Sequence, residues 1–317
     1  MEIPHESPFG RRCFLILPIQ FKAMKPNFIN IGPGRCATSW LMEALRTHPE
    51  IEMSMVKETE YFNTHFDREK QWYEGHFKNE NVAIGEISSN YYLDGVVAQR
   101  IRDYKSDMRL VLNLRNPFLL LDSFYKFGIR RGLNMPPLSQ AMDFPIGKIM
   151  GSGYDARERK NQLTAGDQTT LLESVCLADR FAPFLETFDE NQTHFFVFER
   201  LAYNSRDVLT DLYSFLGVEP EFVPESVDQV INAAAKPKSV LVARLASKTA
   251  GVFRQLGLYS LLSRLHKSEL VKRLIFNPEQ TLGDQQIRKE LDAGTADRLD
   301  DQVSRLKSRC PYLKECW

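Results

Sequence analysis

Four apolar runs alternate with stretches of helical periodicity along the chain. The runs span residues 28–31, 82–87, 108–114 and 194–198. Short runs without polar alternation are typical of strands that are buried on both faces, as in a parallel sheet. Because helical sequence separates the runs, the pattern predicts an α/β fold with a doubly wound parallel sheet flanked by helices.

Three segments carry the apolar spacing and the end signals of helices. The first follows the run at 28–31 and places Leu41 and Leu45 at helical spacing. The second begins with Pro117, because proline favours the first helical position. The third is predicted to begin at a Ser205 cap and to end at Gly217. We expect the second and third helices to cover the sheet.

The chain is predicted to form one domain behind an N-terminal extension. Its 317 residues, 43% of them hydrophobic, are enough for one large core. The first clear element begins near Pro26, so residues 1–23 are interpreted as a poorly ordered extension. Residues 24–317 are interpreted as the domain, with a helical C-terminal part that spans about 240–317.

Charge and composition exclude several classes of function. Lysine plus arginine (41) balances aspartate plus glutamate (41), so there is no overall field for nucleic acid and no nucleic-acid partner is predicted. No run approaches the ~20 apolar residues of a membrane helix, so no transmembrane segment is predicted. The five cysteines lack paired or metal-ligand spacing, which indicates a reducing compartment, a cytoplasmic location and no metal site.

A P-loop-like anion site is predicted where the first strand turns into a helix. The sequence there is GPGRCATS, and backbone N–H groups at a helix start favour an anion. The residues placed to contact the anion are Gly34, Arg35, Cys36, Ala37, Thr38 and Ser39. The loop lacks the Gly-Lys pair of nucleotide triphosphatases, which disfavours ATP hydrolysis. For the loop alone, an ordinary glycine-rich turn with a hydroxyl cap is the alternative.

Two segments resemble the donor site of the sulfotransferases that depend on 3'-phosphoadenosine-5'-phosphosulfate (PAPS), in their heparan-type and bacterial branch. GPGRCATSWLMEALRTHP is similar to the family's 5'-phosphosulfate loop, with Arg35 where many members have lysine. LVLNLRNPFLLLDSFY is similar to the family's strand-end arginine, x-Pro and serine eight residues after the arginine. The resemblance spans residues 26–240 and implies that Arg115 and Ser123 bind the 3'-phosphate of the donor.

Two further segments extend the resemblance. GEISSNYY is similar to the family's strand-end Glu-x-x-Pro-x-Tyr, in which we expect Glu86 to orient its neighbours. NAAAKPKS resembles the late basic loop that closes over the donor, which implies donor contacts from Lys236, Lys238 and Ser239. A solvated basic turn is the alternative for this last segment.

The acceptor must lose a proton during sulfuryl transfer, and the segment VKETEYF supplies two carboxylates for this step. The segment resembles the Glu-x-x-Phe-Phe stretch of heparan-type sulfotransferases, which implies that Glu58 is the base. Glu60 is the competing candidate, and a surface ion pair between Glu58 and Lys57 is the structural alternative. Arg35 is implied as the cation for the leaving oxygen.

The resemblance implies an enzyme that moves a sulfuryl group from PAPS to a hydroxyl or amine of a small-molecule, lipid or carbohydrate acceptor. It releases adenosine 3',5'-bisphosphate and uses no metal. Ile87 stands where related heparan-type enzymes usually have lysine, so glycosaminoglycan specificity is not implied. Two alternatives stay open: a P-loop small-molecule kinase that uses ATP and magnesium, and a non-catalytic scaffold whose basic residues 236–273 bind a membrane surface or a partner.

Overall fold

The computed structural model describes residues 24–150, 165–225, 227 and 283–317, and the backbone of 235–237 and 276–278. The predicted extension, residues 1–23, lies outside this range, as do Lys238, Ser239 and most of the basic segment 236–273. The division of the chain into an extension and one domain therefore stays a prediction.

Five parallel strands form the central sheet. They are β1 (Phe28–Asn30), β2 (Ile51–Met53), β3 (Ala83–Ile87), β4 (Arg109–Leu114) and β5 (Thr193–Val197), in the order β2-β3-β1-β4-β5. All residues of β1 and β3 are buried, as expected for inner strands that are covered on both faces. The four predicted strands and the doubly wound parallel sheet are confirmed.

The edge strand β2 was not predicted. Its sequence is Ile-Glu-Met, so a polar residue interrupts the short apolar pattern. Pairing with β3 places Ile51 beside Ala83 and Met53 beside Gly85. The Glu52 carboxylate turns away from the core and accepts a hydrogen bond from Lys78 N at 3.2 Å. Pairing with β3 therefore stabilises this strand. The sequence did not predict it, because three residues are too few to show a strand periodicity.

Nine helices connect and cover these strands within the described part up to residue 225. They are α1 (Thr38–Thr47), α2 (Lys70–Glu74), α3 (Val96–Tyr104), α4 (Pro117–Arg130), α5 (Ile146–Met150), α6 (Ala165–Gln168), α7 (Leu171–Val175), α8 (Leu177–Thr187) and α9 (Leu201–Leu216). Successive strand residues point to opposite faces, so Phe28 packs in a core with α1 and α9, and Ile29 packs in a core with α3, α4 and α8. The predicted covering helices are thus confirmed.

The start of α9 differs from the prediction. The helix begins at Leu201 rather than after Ser205, and Asn204 interrupts it with φ −155° and ψ 65°. The Asn204 side-chain oxygen accepts a hydrogen bond from Asp207 N at 3.4 Å, so asparagine rather than serine caps the second part. The end is as predicted, because Gly217 adopts φ 71° in the left-handed region.

Residues 283–317 are largely helical, as predicted, whereas residues 276–278 of the part predicted to be helical form a strand. The helices are α10 (Asp284–Arg288), α11 (Ala293–Arg309) and α12 (Leu313–Cys316), and α11 packs against α8 and α4. Further upstream, β6 (Ala235–Pro237) pairs antiparallel with β7 (Phe276–Pro278). Across residues 24–150, 165–225 and 283–317, none of the helices has the length and apolar character needed to cross a membrane.

Candidate active site

Three segments that carry predicted site residues follow the carboxyl ends of strands in the sheet. The phosphate loop, residues 32–37, follows β1, Arg115 follows β4, and the loop of residues 54–69 follows β2. Neighbours on both sides of β1 come later in the sequence, so the chain leaves β1 at the point where strand order reverses. Crevices of this kind are the usual ligand sites of open α/β sheets.

The phosphate loop is held in a strained conformation by bonds from β4. Arg35 and Ala37 adopt φ 70° and 59°, which non-glycine residues rarely do. Asn113 Nδ2 donates to Cys36 O at 3.0 Å, and Arg115 Nη1 donates to Arg35 O at 2.7 Å. A Cβ on Gly32 would meet Asn113 N at 2.3 Å, so only glycine allows this approach. Tertiary contacts thus hold a backbone shape that is typical of functional sites.

The N-terminus of α1 is open to an anion. Ala37 occupies the cap position and offers no side-chain acceptor, so no side chain caps the first N–H groups of the helix. Cys36 is fully buried, which raises the pKa of its thiol and leaves only its backbone for ligand contacts. The hydroxyls of Thr38 and Ser39 lie in the first turn. The ordinary capped turn considered as an alternative is therefore not observed here.

Arg35, Arg115 and Ser123 meet in one place. Arg35 Nε donates to Ser123 Oγ at 3.2 Å, and its guanidinium lies 5.0 Å from the centre of the Phe127 ring. Arg115 reaches the same loop from β4, and its guanidinium lies 4.3 Å from the Phe198 ring. The two arginines are 80 residues apart in sequence, yet the side chain of Arg115 is hydrogen-bonded to the backbone of Arg35.

The cations in this crevice repel one another. Burial, followed by the charges of Arg130 and Arg115, lowers the pKa of Arg35 to about 10. Burial also lowers the pKa of Arg115, whose Nε has no hydrogen-bond partner among the described residues. A bound polyanion would relieve this repulsion, so the charges favour a phosphorylated ligand.

Glu58 lies beside the phosphate loop. Its carboxylate accepts hydrogen bonds from Ser89 N at 2.5 Å and Ser89 Oγ at 2.6 Å, and its N–H donates to Ile87 O at 2.9 Å. Lys57 Nζ lies 3.2 Å from Glu58 Oε1, so the ion pair considered as the alternative is present. The same ammonium donates to Thr38 Oγ1 at 3.0 Å, which places the pair in the crevice.

Glu60, the competing carboxylate, has a different environment. It is buried, with 1% of its surface exposed, and it accepts hydrogen bonds from Asn90 Nδ2 at 2.7 Å and Thr64 Oγ1 at 3.0 Å. Its N–H donates to Ser88 Oγ at 3.1 Å. Glu60 therefore connects the loop to the end of β3, while Glu58 is the carboxylate that reaches the phosphate loop through Lys57.

Glu86 fixes the loop that carries both carboxylates, as its predicted orienting role requires. Its fully buried carboxylate accepts hydrogen bonds from four hydroxyls. The donors are Tyr73 at 2.9 Å, Tyr91 at 2.9 Å, Ser88 at 2.8 Å and Thr59. Burial raises the pKa of Glu86, and the four hydroxyl donors oppose this rise. Because Thr59 lies between Glu58 and Glu60, the network positions both. The sequence offered no sign of four converging hydroxyls.

Glu86→Gln should lower the free energy of unfolding by about 1–3 kcal/mol, because an amide nitrogen cannot accept the hydroxyl bonds that one carboxylate oxygen accepts. Denaturant unfolding at pH 7 measures this effect. Glu80→Gln, at an exposed position, is the matched control and should change stability by no more than about 0.5 kcal/mol. Equal stability of the two variants would contradict the role given to Glu86.

The late basic loop is described only in part. Lys236 lies on β6, whose Cα atoms approach α4, the helix that carries Ser123. Lys238 and Ser239 lie outside the described residues. The donor contacts implied for this loop stay predictions.

Within the ranges that the structure describes, no group of three or more histidine, cysteine, aspartate or glutamate side chains could hold a metal ion.

Comparisons with known proteins identify relatives of one kind. No protein-family profile matches the chain. A stretch of 138 residues is 32% identical to the membrane-associated sulfotransferase kil1 of Dictyostelium discoideum, over 41% of this chain and 29% of that protein. A stretch of 220 residues is 23% identical to bifunctional heparan sulfate N-deacetylase/N-sulfotransferase 1 of Caenorhabditis briggsae, over 65% of this chain and 24% of that protein. The chain thus spans less than a third of either relative.

A solved structure has the same fold. The crystal structure of a sulfotransferase from Alicyclobacillus acidocaldarius superposes with a TM-score of 0.54 and 22% identity, over 79% of this chain and 99% of that one. Both curated relatives are sulfotransferases by name, and the fold that the chain shares with this enzyme is the P-loop-like sulfotransferase fold. The chain is thus similar in sequence to parts of two sulfotransferases and shares its fold with a third.

Proposed function

We propose that the protein transfers a sulfuryl group from PAPS to a hydroxyl or amine of an acceptor. The observation that carries this proposal is the meeting of Arg35, Ser123 and Arg115 in one crevice, beside the open N-terminus of α1. A donor with phosphates at two ends of a nucleoside needs two separate anion sites. The pairing of β1 with β4, which brings the ends of these two strands side by side, supports the proposal.

In this proposal the phosphate loop binds the 5'-phosphosulfate. Backbone N–H groups and the hydroxyls of Thr38 and Ser39 hold the 5'-phosphate, and Arg35 neutralises the charge on the leaving oxygen. Arg115 and Ser123 bind the 3'-phosphate. The late loop with Lys236, Lys238 and Ser239 is proposed to cover the donor.

Glu58 is proposed as the base. The acceptor oxygen or nitrogen attacks sulfur in line, the bond from sulfur to the leaving phosphate oxygen breaks, and that oxygen keeps the electron pair. The acceptor proton moves to the Glu58 carboxylate. The products are the sulfated acceptor and adenosine 3',5'-bisphosphate. Support comes from the position of Glu58 next to the phosphate loop, whereas Glu60 is buried among its own partners.

The proposed acceptor is a small molecule, lipid or carbohydrate. The Caenorhabditis briggsae relative is named for heparan sulfate, which supports a carbohydrate among these classes. Screening labelled PAPS against panels of alcohols, phenols, amines and sugars identifies the acceptor. We also propose a cytoplasmic location, which rests on the cysteine composition alone.

Calorimetric titration tests the donor class. Adenosine 3',5'-bisphosphate should bind with a dissociation constant about ten-fold or more below that of ATP, because ATP has no 3'-phosphate for Arg115. Addition of a chelator should leave this binding unchanged, since no metal takes part. Tighter binding of ATP that requires magnesium would favour the kinase alternative and contradict the proposal.

A further inference from the structure

We propose that Lys57 binds the sulfonate end of the donor and stabilises it during transfer. This inference rests on the proposed function and adds a cation to it. The Lys57 ammonium donates to Thr38 Oγ1 at 3.0 Å and to Ser39 Oγ at 3.4 Å, and it lies 3.2 Å from Glu58 Oε1. It is thus the group that bridges the phosphate loop and the proposed base.

The position of this ammonium is electrostatically unfavourable without an anion. Thr38 and Ser39 are the first two residues of α1, so Lys57 places a positive charge at the positive end of the helix dipole. Glu58 compensates one unit of this charge, and an anionic group bound between the helix start and Glu58 would compensate more.

The end of β3 offers no cation for this part of the crevice. Ile87 is fully buried in the core beneath α1 and α9, and the residues that follow it are Ser88, Ser89 and Asn90. The side chain of Arg35 instead contacts Ser123 on α4, and that of Arg115 contacts Arg35 O. Lys57 therefore supplies a positive charge next to Glu58, the proposed base.

The geometry of in-line transfer places the sulfonate at this point. Sulfur must lie between the leaving oxygen, held by the phosphate loop, and the acceptor atom, whose proton goes to Glu58. Lys57 lies between the same two groups, so its ammonium can donate to the sulfonate oxygens. Lys57 keeps its own protons throughout, and its charge is available while the sulfur bond to the leaving oxygen breaks.

Binding measurements with two ligands test the role, because PAPS carries the sulfonate and adenosine 3',5'-bisphosphate lacks it. Lys57→Met should raise the dissociation constant for PAPS about ten- to hundred-fold, the effect of losing a charge-assisted hydrogen bond. The constant for the bisphosphate should change by no more than about two-fold. Lys57→Arg, which keeps the charge, should restore most of the affinity for PAPS.

Lys289→Met is the matched control at an exposed position after α10, and it should leave both constants unchanged. Thermal unfolding of each variant checks that the fold is intact. An equal loss of affinity for both ligands in Lys57→Met would mean that Lys57 holds the phosphate loop in place or binds the 5'-phosphate. That result would overturn the proposal. Unchanged binding of PAPS would also overturn it. Failure of the unmodified protein to bind the bisphosphate would instead reject the proposed function, and the role of Lys57 with it.

Discussion

Glu58→Gln is expected to lower the turnover number about 10²–10⁴-fold, the usual contribution of a general base. Glutamine has nearly the same shape and can still accept a hydrogen bond from Ser89, but it cannot take the acceptor proton. Affinity for adenosine 3',5'-bisphosphate should therefore stay within about two-fold of the unmodified protein. Transfer of labelled sulfate from PAPS to the best acceptor of the screening panel measures turnover, and calorimetry measures affinity.

Glu60→Gln is the matched control, because Glu60 lies two residues away in the same loop. Its carboxylate is bonded to Asn90 and Thr64, so the change should affect stability more than turnover. The opposite result, with turnover lost in Glu60→Gln and kept in Glu58→Gln, would make Glu60 the base. Equal, large losses in both variants would indicate that the loop, and not one carboxylate, is the sensitive element.

Arg115→Ala is expected to raise the dissociation constant for adenosine 3',5'-bisphosphate about ten- to hundred-fold, since it removes the charged partner proposed for the 3'-phosphate. It should leave the weaker binding of adenosine 5'-phosphate nearly unchanged, because that ligand has no 3'-phosphate. The ratio of the two constants, measured by calorimetry, isolates the contact. An equal fold-loss of affinity for both ligands would show that Arg115 acts only by holding Arg35 O in the phosphate loop.

The surroundings of Arg115 require a second variant. Its charge lies near the half-buried Glu199, whose carboxylate accepts a hydrogen bond from Asn116 N at 2.8 Å. Removing the arginine takes a favourable positive charge away from that carboxylate, which can destabilise the fold. Arg115→Lys keeps the charge but not the planar geometry, so it should stay folded and show a smaller loss of affinity. Arg206→Ala, at an exposed position on α9, controls for charge alone.

The two arginines illustrate how a site forms from distant segments. Arg35 lies in the loop after β1, Arg115 directly follows β4, and β1 and β4 are neighbours in the sheet. Arg115 can therefore donate to the backbone of Arg35 across 80 residues of sequence. The expectation that both face one crevice follows from the parallel sheet, because the carboxyl ends of adjacent parallel strands meet at one edge.

Other parts of the site depend on contacts that leave no local pattern. Glu58 and Glu60 are both glutamates of the same short polar segment, so their local sequence does not distinguish them. In the structure Glu58 lies beside the phosphate loop and Glu60 is buried. The sequence alone leaves Lys57 as a possible surface partner of Glu58, whereas in the structure its ammonium lies beside Thr38. The four hydroxyls around Glu86 come from the stretch of residues 59–91, and no periodicity links them.

The sequence by itself determined the inner strands, the start of α4 at Pro117 and the end of α9 at Gly217. It could do so because burial on both faces, the proline ring and the left-handed glycine each act within a few residues. Only the tertiary structure decided the edge strand β2 and the placement of Lys57 and Glu58 at the helix start. These depend on which segments meet in space, and such pairings are decided by packing and long-range hydrogen bonds rather than by local propensity.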